Sequence, residues 1–169
     1  MNYEVGDTVV HWTHGLGRVI AIDEMQLSGI TQKYYVVEIQ LLKLWVPVAE
    51  AQEGSLRFPT ETAQFKRLFD ILRTPGESLP DNQYQRKLTL RERMQKSTLD
   101  GLCHVIRDLT DRSRHHTLNQ NDASILFRAE EHLLDEWALS LGVERSSALR
   151  ELEVLLRRDL AETTPHTTF

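Results

Sequence analysis

The hydrophobic pattern changes period once along the chain, near Phe58, and that change constrains the fold more than any other feature. Before it, apolar residues fall in short β-branched runs: "DTVVHW", "GRVIAI", "KYYVVEIQL" and "KLWVPV". "THGLG" (13–17) supplies turn residues between the first two, and Pro47 closes the fourth. Strands this short, joined by Gly-bearing turns, predict a small, strongly curved antiparallel barrel. Val9, Val19, Ile22, Val36, Ile39 and Val46 are its expected core. Tyr34 and Tyr35 fall on opposite faces of their strand, so one of them is expected on display.

After Phe58 the period is helical. "TETAQFKRLFDILRTPG" puts Phe65, Leu68, Phe69 and Leu72 on one face, with Thr60 as the expected N-cap and a stop at Pro75-Gly76. "TPGESLPDN" reads as a linker. Three more amphipathic segments follow. Leu99, Leu102, Ile106 and Leu109 stripe residues 98–112. Ile125, Ala129, Leu133 and Trp137 stripe 120–141, before Gly142. Leu149, Leu152 and Leu156 stripe 144–160. The fold class is therefore α+β, an antiparallel barrel followed by an all-helical domain. The expected boundaries are 1–57 for the β-domain, 58–82 for a helix and linker, 83–160 for the helical domain and 161–169 for a frayed tail.

Composition excludes several functions. No run approaches the roughly 18 apolar residues of a membrane span, and "MNYEVGDTVV" has no signal-peptide pattern. Cys103 is the single cysteine, which rules out an intramolecular disulfide and suits a reducing, cytoplasmic setting. It lies beside an apolar stripe and reads as a small core residue. His11 and His14 in "HWTHG" lack companion ligands and read as structural or solvated, so no metal or cofactor is expected. "GLG" (15–17) has no helix after it and reads as a turn, not a dinucleotide loop. "RHH" (114–116) suits a helix C-terminus. No nucleophile–base–orienter set emerges, and no enzyme is expected.

"QYQRKLTLRERMQK" (83–96) departs from the rest. Arg86, Lys87, Arg91, Arg93 and Lys96 against Glu92 give +4, so the remaining 155 residues carry −9 of the net −5. On a helix, Lys87 and Arg91 stack one turn apart, Arg86 and Arg93 lie on a neighbouring line, and Leu88, Leu90 and Met94 can dock the helix. Charge alone leaves two readings: a solvated face, or a surface for phosphates. The β-part, with four basic and seven acidic residues through Arg57, suits RNA poorly.

Several motifs, in collinear order, resemble the CarD/CdnL family of bacterial transcription regulators. "VGDTVVHWTHGLGRVIAI" is similar to that family's V-G-D-x-V-V opening, and "SGITQKYYVVEI", "LWVPV" and "EGSLR" continue it. "HVIRDLTDR" (104–112) and "LLDEWALSLGV" (133–143) resemble its helical segments. The likeness spans roughly residues 3–157. It implies a Tudor-like domain that grips the RNA polymerase β subunit, and a helical domain that meets promoter DNA and favours the open complex. The transcription-repair coupling translocase shares the β-module, but this chain is too short for its motor and lacks a Walker motif.

The resemblance also assigns sites. Gln83 stands where the family carries a wedge tryptophan, with Tyr84 the nearest aromatic. Arg86 keeps a basic position, Gln85 and Leu88 stand where other members are often basic, and Lys87, Arg91 and Arg93 restore charge. DNA contact is thus expected at Gln83, Tyr84, Arg86, Lys87, Arg91 and Arg93, weak on free DNA and not sequence-specific. For the polymerase side, Met25, Gln26 and Trp45 are the candidates, through an exposed strand edge. The alternative is a protein–protein adaptor of the polymerase with no direct DNA contact.

Overall fold

The computed structural model describes residues 2–95 and 98–157; Lys96 and the expected tail at 161–169 lie outside the described residues. Five strands form one antiparallel sheet in the order β4-β3-β2-β1-β5. They are β1 (Thr8–His11), β2 (Gly15–Leu27), β3 (Ile30–Ile39), β4 (Leu42–Pro47) and β5 (Leu56–Arg57). A short helix, α1 (Val48–Glu50), runs through a π-type turn into β5. The β2–β3 hairpin closes on Ser28 and Gly29, both at positive φ, as tight two-residue turns require.

A single sheet buries its own core here because it curls. Val9, Val19, Tyr35, Val37, Ile39, Val46, Ala51 and Leu56 converge, with Tyr3 packed edge-on to Tyr35 at 5.4 Å. A bulge between Val19 and Ala21 supplies part of the bend. Two expectations are corrected. Ile22 pairs with Tyr35 but is 46% exposed, because nothing in β2 beyond Val19 is buried and the outer half of the hairpin projects from the body. Neither tyrosine is displayed. Tyr35 lies in the core, while Tyr34 is buried on the opposite face beside Pro47, where its hydroxyl donates to Gln32 Oε1.

The helices are α2 (Phe65–Arg73), α3 (Gln83–Gln95), α4 (Leu99–Ser113), α5 (Gln120–Leu141) and α6 (Arg145–Leu156). Thr98 and Asn119 cap α4 and α5 by accepting from Gly101 and Asp122, and Gly142 ends α5 in the left-handed region. Thr60 caps no helix. The chain enters α2 through a 3-10 turn at Thr62–Gln64, and the Thr60 N–H is used elsewhere. The α4 stripe is the centre of the core, with α2, α3 and α5 packed on it. Phe65 and Leu72 join that core, as do Cys103, Leu133 and Trp137. In α6 the buried stripe is Ala148, Leu152 and Leu155, leaving Leu149 39% exposed; the expected stripe is rotated by one residue around the helix.

One carboxylate ties the domains together. Glu136 of α5, with its side chain 2% exposed, accepts from both Arg57 guanidinium nitrogens (2.6 and 2.8 Å) and from the Thr60 N–H (2.6 Å). Thr62 Oγ1 adds a bond to the Ser140 carbonyl. Beside them Gly15 lies so close to His132 that a Cβ would meet the ring at 3.0 Å. Removing one partner of a buried pair strands the other in low dielectric. Glu136→Ala is therefore expected to cost about 3–5 kcal/mol in urea unfolding, with retained stability counting against the clamp.

Candidate nucleic-acid and polymerase interfaces

Helix α3 is preceded by Asn82, whose side chain accepts from the Gln85 N–H. Its inward face carries charge as well as apolar groups. Leu90 is fully buried and Met94 partly so, whereas Leu88, expected to help dock the helix, is 48% exposed. The other docking group is Arg86, only 5% exposed. Its Nε donates to Asp122 of α5 at 2.7 Å, and its Nη1 donates to the Pro80 and Asp81 carbonyls. Arg93, one helical face with it, pairs with the enclosed Asp108 of α4 and with Glu77. Asp108 also accepts from the Glu77 N–H and from Arg107.

Arg86 is thus withdrawn from the surface on which it was expected, and Arg93 is largely neutralised. The physical reason is that two acids lie at buried positions of α4 and α5, and a buried carboxylate demands a partner. The signal was present in "VIRDL" and "NQND": an acid inside or beside an apolar stripe calls for a cation from elsewhere.

Gln83, Tyr84, Lys87 and Arg91 are exposed, with Tyr84 at 70%. Lys87 and Arg91 line a cleft of about 300 Å³ between the two domains. Asn121, Ile125, Arg128 and His132, successive turns of one face of α5, form a second wall, and Trp12 and Thr13 of the β1–β2 turn form a third. Sequence reasoning missed Trp12 and Arg128, because only the tertiary fold brings residues so far apart in the chain together.

Burial, then His14 and His132, lower His11 to about 4. Its Nδ1 accepts from the Thr13 and His14 N–H groups. Burial likewise lowers His132. Among the described residues no three His, Cys, Asp or Glu side chains are placed to hold a metal. Burial raises the Cys103 thiol, which sits in the helical core.

At the other end of the molecule, β4 is an edge strand. Trp45, 47% exposed, pairs with Val36, and Met25 pairs with Gln32, four residues away along β3. Alternation puts Trp45 and Met25 on the same sheet face about 13 Å apart along the strand, and Gln26 on the other.

Two family models match the chain: the CarD-like/TRCF RID domain over residues 3–58 and the CarD C-terminal domain over 67–153. The chain belongs to the CarD-like family. A relative from Bacillus subtilis (strain 168), named "Putative transcription factor YdeB", is 25% identical over 146 residues, covering 83% of this chain and 94% of that protein. Among the described residues of this CarD-like chain, no helix is long and apolar enough to cross a membrane.

The two kinds of cation on α3 should separate experimentally. Arg86→Ala, which strands Asp122, is expected to lower unfolding free energy by about 3–5 kcal/mol, whereas Lys87→Ala stays within ~0.5 kcal/mol. Urea titrations that gave equal losses would contradict the burial of one and the exposure of the other. Acid should act through His11. Its folded pKa, about 4, lies below its ordinary 6.5, so the unfolded chain binds more protons between these values. Stability then falls as pH drops from 6.5 to about 4 and levels off below, a loss of about 3 kcal/mol. His11→Asn keeps an acceptor for the two amides but cannot titrate, and its unfolding free energy is expected to lose correspondingly less between pH 7 and pH 4.5.

Proposed function

We propose that this CarD-like transcription regulator binds the RNA polymerase β subunit through its N-terminal sheet and contacts promoter DNA through α3, favouring the open complex. The observation that carries the reading is the match of residues 3–58 to the polymerase-interacting module, together with a half-exposed Trp45 on an unpaired strand edge. An edge offers main-chain hydrogen bonds to a partner strand, and Trp45 and Met25 supply side-chain contacts beside it. Gln26, on the opposite face, stands at the rim of the same hairpin.

On the DNA side, Lys87 and Arg91 carry the phosphate contact, with Gln83 and Tyr84 exposed at the start of the same helix. Two such contacts on an acidic body bind free DNA weakly and lose affinity with salt. Anchored at the polymerase, the same helix meets promoter DNA at an effective concentration that reaches the millimolar range. Better contact with the open than the closed state by ~1.4 kcal/mol shifts opening tenfold, while equal contact shifts nothing. The reading makes the protein a binding module of the cytoplasm rather than an enzyme.

The internal pairing of Arg86 and Arg93 favours a second reading, an adaptor of the polymerase without DNA contact, since it leaves α3 few free cations. The test pairs capture by the polymerase β lobe with open-complex lifetime on purified polymerase. Trp45→Ala is expected to weaken capture about tenfold. Lys87→Glu/Arg91→Glu should be captured normally yet fail to prolong the open complex. If that double variant still prolongs it, the adaptor reading stands; if wild-type protein is not captured, both readings fall.

A further inference from the structure

We propose that the cleft between the domains binds a single nucleotide, its base on Trp12 and its phosphate on Lys87, Arg91 and Arg128. The first support is charge. Arg57, Arg67, Arg73, Arg86, Arg93, Arg107, Arg112, Arg114 and Arg145 all pair with acids. Among the described residues Arg18, Lys43, Lys66, Lys87, Arg91, Arg128, Arg150 and Arg157 have no acidic partner, and of these Lys87, Arg91 and Arg128 line one cleft that contains no carboxylate. In a protein of net charge −5, three unneutralised cations gathered in one concavity form a site for an anion. Glu50 and Glu53 flank a separate depression that also touches Trp12.

The second support is the rest of the lining. Trp12 brings a large aromatic face, and Met94 and Ile125 an apolar floor. Asn121 lies in the same wall, and its amide nitrogen is enclosed without a hydrogen-bond partner. Cations, an aromatic platform and an amide donor are the set that holds an unstacked base and its phosphate. At about 300 Å³ the cleft is at the small end of ligand sites and too small to enclose a duplex. His11 and His132, both lowered by burial, add no charge at pH 7, so the anion is held by Lys and Arg alone.

This rests on the reading that α3 faces nucleic acid, and it adds what that reading lacks: a place for a base that has left the stack. The same chemistry is offered by a nucleotide within single-stranded DNA and by a free nucleotide. The test uses the full chain at low salt with four probes: a dye-labelled thymidylate octamer, a duplex of equal length, thymidine monophosphate and inorganic phosphate. The octamer is expected to bind about tenfold more tightly than the duplex and to quench tryptophan fluorescence, a quench lost in Trp12→Phe. Trp12→Ala and Arg128→Ala should each weaken it about tenfold, while Lys66→Ala, which removes an exposed charge elsewhere, leaves it unchanged.

Thymidine monophosphate binding as tightly as the octamer supports the cleft with a free nucleotide as its ligand. Inorganic phosphate matching the octamer overturns it, as does octamer affinity unchanged in both Trp12→Ala and Arg128→Ala. The same variants pass through the β-lobe capture. Retained capture with lost octamer affinity assigns the defect to the cleft, and unchanged octamer affinity overturns the cleft whatever the capture shows.

Discussion

Glu136 holds the two halves of the molecule in register. Its carboxylate is enclosed and receives three donors, two from Arg57 at the end of the last strand and one from the Thr60 main chain. A carboxylate in that setting is stable only while all its partners stay in place. The sheet therefore leaves its last strand at a fixed angle to α5, and the β1–β2 turn comes to rest against the same helix. The Gly15–His132 approach fits this: only a glycine admits the ring so close to the strand. The cleft, with one wall from each domain, exists because of this junction.

The distribution of charge follows a second rule. Most arginines are consumed by acids, several of them buried: Asp108, Asp122 and Glu136 each hold at least one guanidinium. Such pairs add little net stability compared with apolar packing, but each imposes a geometry. Arg86 fastens α3 to α5 and to the linker carbonyls, and Arg93 fastens α3 to α4. The basic strip therefore does two things at once. Arg86 and Arg93 set the orientation of the helix, and that orientation presents Lys87 and Arg91 to the cleft.

Much of this was legible in one dimension. Period alone separates sheet from helices and finds the α4 and α5 stripes, since i, i+3, i+4 patterns depend only on local geometry. The Asn119 and Gly142 boundaries of α5 are local chemistry too, although only Gly142 was foreseen. Errors arose wherever burial depends on distant chain. Ile22 has the alternation of a core residue, yet its half of the hairpin extends past everything that might cover it. Tyr34 is hidden by neighbours on β4 and its own strand, which the pattern of one strand does not contain. Arg86 looked like surface because arginine is mostly surface; its partner lies 36 residues away. Trp12 and Arg128 belong to different domains, so no motif joins them.

The contacts at the junction bear on how weak contacts would act together. If the domains swung freely, anchoring the sheet on a large partner would spread the helical face over a wide volume and dilute it. A junction fixed by an enclosed ion pair confines Lys87, Arg91 and Trp12 to a narrow range of positions relative to Trp45. If the strand edge docks on the polymerase as proposed, that docking determines where the cleft lies, and the entropy of placing it is lost once. On the proposed reading, nucleic acid that reached that position would meet a preformed set of cations and an aromatic face, and nucleic acid elsewhere would meet an acidic body. Specificity of place would, on that reading, come without any reading of base sequence, from the distance between the strand edge and the cleft.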